Sequence, residues 1–136
     1  MIAVVCPGQG SQKPGFLTEW LSVPGVSDHL SELSDAAGLD LAHYGTEADE
    51  ETIKDTAVAQ PLIVAAGLVA GRLLAPSWDD RSDVVFAGHS VGEITAAALS
   101  GVLALTSLVA IAQAPLAGHR TFPSQAQSGT LKILDR

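Results

Sequence analysis

The sequence predicts an α/β fold: a parallel sheet with buried helices and, at its centre, a sharp strand-to-helix turn. Three observations carry this. Ile2–Cys6 and Val84–Ala87 are short, apolar, β-branched runs of the kind that form buried strands. Alanine-rich stretches of helical propensity lie between and after them, and strands joined through helices pair in parallel. Gly88-His89-Ser90-Val91-Gly92 fits the pattern G-x-S-x-G between the second strand and the helical run Ile94–Leu99, the setting in which that pattern makes a nucleophile elbow.

The elements follow in order. Ile2–Cys6 is the first strand. Pro7-Gly8-Gln9-Gly10-Ser11-Gln12 is a loop without bulky residues, so its backbone N–H groups can approach a ligand closely. It is neither a dinucleotide fingerprint, which needs a glycine at Lys13, nor a P-loop, which needs a terminal Gly-Lys-Ser/Thr. Phe16–Leu21 reads as a short helical turn, punctuated by Pro24-Gly25. Ser27–Ala37 has helical spacing, with Ser27 or Asp28 as N-cap, Gly38 as stop and His29 on the exposed side. Leu39–Tyr44 is a further turn stopped by Gly45, with His43 on the surface. Glu50–Lys54 is an acidic turn.

Asp55 or Thr56 then caps a helix reaching about Leu74. It is apolar nearly all round and therefore buried. Pro61 suits its first turn, where a missing N–H costs little. Gln60, just before it, either caps locally or points into a cavity. Pro76–Ser82 is a polar loop leading to the second strand. After the elbow, Ile94–Leu99 is helical, with Gly101 as its stop, and Thr106–Ala112 continues in the same character. From Gln113 the composition turns to that of a loop or tail until Leu131-Lys132-Ile133-Leu134.

Composition narrows the function classes. The chain has 136 residues, enough for one domain or part of a larger one. It is 47% hydrophobic and 4% aromatic, so its core is built from small side chains. Net charge is −8 and the seven basic residues are scattered, which argues against nucleic-acid binding. Cys6 is the single cysteine, so no internal disulfide and no cysteine-based metal site can form; no metal or cofactor is expected. Met1–Cys6 is interrupted by Pro7-Gly8 too early for a signal peptide. The charge-free stretches Thr56–Gly71 and Ile94–Gly118 read as buried helices, not membrane spans, and a cytoplasmic location is expected.

The elbow carries the chemistry. Side chains at Gly88 and Gly92 would crowd the strand and helix that meet there, and a serine on so tight a turn has strained backbone angles. The turn pushes the Ser90 hydroxyl outward and leaves the Val91 N–H at a helix N-terminus, free to hold a developing oxyanion. The same turn could use Ser90 merely as an N-cap.

Pro7-Gly8-Gln9-Gly10-Ser11-Gln12 after a first strand, Ala59-Gln60-Pro61-Leu62 opening a buried helix, and Gly88-His89-Ser90-Val91-Gly92-Glu93 together resemble the malonyl-CoA:acyl-carrier-protein transacylases of fatty acid and polyketide synthesis. The resemblance covers residues 1–112 and leaves 113–136 as a divergent, irregular tail. It implies an incomplete acyltransferase/hydrolase-like domain. The opening of the chain on the first strand resembles the stand-alone enzyme of this family.

The resemblance further implies that Ser90 attacks malonyl-CoA to form a malonyl ester, which the phosphopantetheine thiol of an acyl carrier protein then takes up. Backbone N–H groups of Gln9 and Val91 would form the oxyanion hole, and Gln9, Gln60 and His89 would line the substrate pocket. The partners are malonyl-CoA and acyl carrier protein, without nucleic acid or membrane.

The pattern also breaks. The family's histidine base lies far downstream, beyond this chain. Its carboxylate-gripping arginine would fall near Pro115, where no arginine stands; Arg120 is the nearest. The expectation is therefore a truncated or frame-disrupted transacylase with little or no transfer activity alone. The alternatives are a serine esterase or lipid acyl hydrolase with the same elbow, and an inactive fragment or half-assembly that needs a second polypeptide.

Overall fold

A computed structural model of the chain describes residues 1–75, 78 and 82–103. Two strands, β1 (Ile2–Cys6) and β2 (Val84–Gly88), pair in parallel with Ile2 opposite Val84 and Cys6 opposite Gly88. Between them run α1 (Val26–Ala37), α2 (Leu41–Thr46), α3 (Glu50–Lys54) and α4 (Thr56–Leu74), and α5 (Gly92–Leu99) follows β2. The predicted α/β class and parallel pairing are what is observed. The loop Pro76–Ser82 falls largely outside the described residues. The helical stretch expected over Thr106–Ala112, the apolar run Leu131–Leu134, the expected tail 113–136, Pro115 and Arg120 lie wholly outside them.

The structure is layered. One sheet face packs Cys6 and Phe86 against Ala96 of α5, with Val4, Val84, Trp78 and Leu99 around them. Trp78 meets Phe86 edge-on, with ring centroids 5.3 Å apart. Behind α5 lies α4, which also touches α1, α2 and α3. The larger core sits there: Leu30, Leu41, Ile53, Leu62, Val64 and Val69 are essentially inaccessible.

Local chemistry explains most boundaries. The α1 stripe Val26, His29, Leu30, Leu33, Ala37 has the i, i+3, i+4, i+7 spacing of a core-facing helix. Gly38 (φ 62°) ends it, and the Gly38 and Leu39 N–H groups close on the last carbonyls, of Asp35 and Ser34. Asp40, Asp49 and Asp55 cap α2, α3 and α4, each carboxylate accepting a backbone N–H of the first turn.

Several expectations need correction. His29 is buried, not exposed: it lies on the apolar stripe, and its Nδ1 accepts from Arg72 Nη1 at 3.0 Å. Helix α1 starts at Val26 behind Gly25, whose left-handed backbone (φ 82°) makes the turn, so neither Ser27 nor Asp28 is its N-cap. Gly45 does not stop α2. It lies within the helix, where Leu17 occupies the space a Cβ would need. Pro61 is the sixth residue of α4, past the first turn, so it forgoes a true intrahelical bond.

The strands are also less buried than predicted. Among the described residues the sheet has two strands and α5 covers one face, so Val5, on the other face, is 71% exposed; Ile2, on the covered face at the start of β1, is still 43% exposed. Helix α4 is long and apolar enough, by length and composition, to cross a membrane, but 56% of its most apolar 18-residue stretch is buried within this fold.

Candidate active site

The site forms at the C-terminal end of the two strands, where parallel α/β sheets place their crevices. The apolar run of β2 ends at Gly88 because the chain must turn at once. Ser90 takes φ 56°, the only positive φ of a non-glycine residue among those described. Three successive short bonds build the turn: Gly92 N–H to His89 O at 3.0 Å, Glu93 N–H to Ser90 O at 3.0 Å, and Ile94 N–H to Val91 O at 3.1 Å. Helix α5 therefore begins two residues after the serine, earlier than the predicted Ile94.

The glycines meet the demands placed on them. A Cβ on Gly88 would strike the backbone of Gly92 and Glu93, and one on Gly92 would strike the carbonyl oxygens of Cys6 and Pro7. These are backbone atoms, which cannot swing aside. The strand–turn–helix unit is thus pressed directly against the end of β1.

Ser90 and His89 are exposed, and Val91 is buried, only 5% exposed. Neither the Val91 N–H nor the Gln9 N–H donates to any acceptor among the described residues. The opening loop faces the elbow: the His89 N–H donates to Cys6 O at 3.2 Å, and a Cβ on Gly8 would stand 3.3 Å from Ser90 Cβ and 2.9 Å from His89 Nδ1. Only a residue without a side chain lets the loop lie this close to the serine. Gln9 follows directly.

The Gln9 side chain is engaged elsewhere. Its Nε2 donates to Lys54 O at 3.4 Å and to Thr56 Oγ1 at 3.3 Å. Thr56 and Gln60 are four residues apart on α4, so they share a face, and Gln60 lies one turn along from the Gln9 contact. Gln60 is half-buried. The structure thus sets Ser90 and His89 against Gly8, with Val91 and Gln9 next to them in the chain, and Gln60 one turn along α4 from the Thr56 that Gln9 contacts.

The remaining described histidines stand apart. His29 sits between Arg72 and Glu32 at the α1–α4 contact, beside a cavity of about 230 Å³ whose lining includes no residue of the elbow or opening loop. His43 faces Glu47 on α2. Cys6, behind the elbow, is buried at 4%, and burial pushes its thiol above the usual range, so it is held protonated. Sequence reasoning missed the Gln9–Thr56 tether and the interloop role of Gln12, described below; both depend on contacts between residues far apart in the chain.

A serine held in left-handed conformation between strand and helix, opposite a glycine loop, stands here in an α/β domain whose fold matches solved acyltransferase structures. No protein-family model matches the chain. Over 113 residues it is 55% identical to the malonyl CoA-acyl carrier protein transacylase of Mycobacterium tuberculosis H37Rv, covering 82% of this chain and 37% of that protein. The Escherichia coli K12 transacylase is 31% identical over 115 residues, covering 82% and 36%.

Solved structures agree. The crystal structure of MCAT from Mycobacterium tuberculosis matches with a TM-score of 0.75 at 55% identity, over 82% of this chain and 37% of that one. A type II polyketide-synthase acyl-carrier protein in complex with its malonyl-transacylase matches with a TM-score of 0.72 at 31% identity, over 82% and 36%. The chain is similar in sequence and fold to the N-terminal part of the malonyl CoA-acyl carrier protein transacylases, and it spans a little over a third of their length.

Proposed function

We propose that this chain carries the acyl-accepting, nucleophile-bearing part of a malonyl-CoA:acyl-carrier-protein transacylase site. Ser90 is the nucleophile. Its Oγ bonds to the thioester carbonyl carbon of malonyl-CoA, the C–S bond breaks, and coenzyme A leaves as the thiol with the serine's proton. The phosphopantetheine thiol of an acyl carrier protein then attacks the ester, and the proton returns to Ser90. No cofactor enters this balance.

The backbone N–H groups of Gln9 and Val91 hold the developing oxyanion, each worth about 3 kcal/mol when preorganised and shielded from water. Gln60, His89 and the remaining oxygen of Gln9 line the malonyl pocket. The reading is of a cytoplasmic protein acting in fatty acid or polyketide synthesis. The observation that carries it is Ser90 at φ 56° with the unpaired Val91 N–H behind it and Gly8 against it.

Among the described residues no histidine other than His89 adjoins Ser90, and His89 lies against Gly8. A serine nucleophile needs a base to take its proton, so loading of Ser90 is expected to be slow but measurable, and turnover onto carrier protein by residues 1–136 alone weaker still. Incubation with malonyl-CoA and phosphopantetheinylated acyl carrier protein, followed by intact mass of the carrier, tests this. Little or no malonyl-carrier should accumulate. Rapid accumulation would overturn the expectation of weak transfer, while hydrolysis of simple esters in preference to malonyl uptake would favour an esterase.

A further inference from the structure

The opening loop is held by more than its glycines. Gln12 spans it at both ends: its Oε1 accepts the Gly10 N–H at 2.8 Å, and its Nε2 donates to Ile53 O of α3 at 3.0 Å. Ile53 is 1% exposed and anchored in the core. The Ser11 hydroxyl donates to Gly8 O at 3.0 Å, which closes the loop on itself. Gln9, between Gly8 and Gly10, is tied through its own side chain to Lys54 and Thr56.

A loop with two glycines in four residues is intrinsically loose. Here two carboxamides fasten it to the α3–α4 junction. The geometry points to Gln12 as a positioning residue: its carboxamide fixes the loop on α3 so that the Gln9 N–H faces the carbonyl that Ser90 attacks. The inference rests on the proposed role of Ser90. Gln12 touches no reacting atom. Its effect is on where the Gln9 N–H stands when the oxyanion forms, and a shift of about 1 Å there costs on the order of a hundred-fold in rate.

Two substitutions separate the arms. Gln12→Leu removes both. Gln12→Glu keeps an acceptor for the Gly10 N–H but turns a carboxylate toward the Ile53 carbonyl, which cannot donate to it. The full 136-residue chain is compared by amide exchange at Gly10, by melting temperature, and by the rate of malonyl uptake from malonyl-CoA at several concentrations. Gln12→Leu should speed Gly10 exchange about ten-fold or more. Both variants should lower the maximal uptake rate about ten-fold or more and leave the half-saturating concentration of malonyl-CoA unchanged, at a temperature well below the measured melting point, where the folded fraction is complete and general destabilisation cannot lower the rate. If Gln12→Leu does not fold, Gln12→Glu decides through the rate alone. Unchanged Gly10 exchange in a folded Gln12→Leu, or an unchanged maximal rate in either variant, overturns the inference. If the unaltered chain takes up no malonyl group, it is the Ser90 reading that fails.

Discussion

Ser90 pays for its position. At φ 56° its Cβ crowds its own backbone, at a cost of about 1–2 kcal/mol for any residue but glycine. Elsewhere alanine is preferred to glycine by about 0.5–1 kcal/mol. At this position the order should invert, so Ser90→Gly should melt above Ser90→Ala; the ordinary order would contradict the left-handed turn. Gly92→Ala drives a Cβ into the carbonyl oxygens of Cys6 and Pro7 and should lose about 1–3 kcal/mol in urea unfolding, whereas a neutral effect would mean the elbow does not press on β1. Much at this scale was legible, because G-x-S-x-G encodes steric demands directly. His29 is a miss that the spacing could have prevented: residues 26, 29, 30, 33 and 37 form one stripe, and its position on that stripe outweighs its polarity. The Gln9–Thr56 and Gln12–Ile53 bonds were not legible: nothing local links residues 47 and 41 positions apart.

Among the elements, α4 and α5 matter most to the site, because α5 carries the elbow and α4 supports it. Asp55 caps α4, its Oδ1 accepting the Ala57 N–H at 2.9 Å. Asp55→Ala should cost about 1 kcal/mol by thermal unfolding and Asp55→Asn much less; equal losses would mean the cap is not the cause. Helix α3 adds a pH dependence. Hydrogen bonds from the Thr52 backbone and side chain lower the Asp49 carboxyl, and the Lys54 ammonium, bonded at 2.7 Å, lowers Glu50. Folded values below the unfolded ones stabilise the protein above the ordinary carboxylate range, and the contribution disappears as pH falls through the lowered values. Asp49→Asn combined with Lys54→Met should therefore flatten the acid limb of stability against pH, and an unchanged limb would count against both interactions. Helix boundaries followed from Asp caps and Gly38, which act locally. The turn at Pro24-Gly25 was legible, but not that Gly25 itself, in left-handed conformation, takes the N-cap place given to Ser27 or Asp28; Gly45 was misread because its role, a packing notch for Leu17, depends on the partner segment.

At the scale of the whole molecule, the described residues form half-covered architecture. The α/β class and parallel pairing were readable from two apolar runs joined through helices. The exposure of those strands was not, because burial depends on what lies beside them. Val5, at 71% exposure, sits on a sheet face that α5 does not reach, and an open apolar sheet invites association. Val5→Lys should raise the concentration at which the chain stays monodisperse by light scattering while changing stability by less than about 0.5 kcal/mol. A large loss of stability would mean that face is packed in solution. The central claim concerns one oxygen, and intact mass with peptide mapping after exposure to malonyl-CoA tests it most directly. The account predicts a single malonyl adduct on Ser90 that Ser90→Ala abolishes; an adduct that persists in Ser90→Ala, or that maps to another residue, would contradict it.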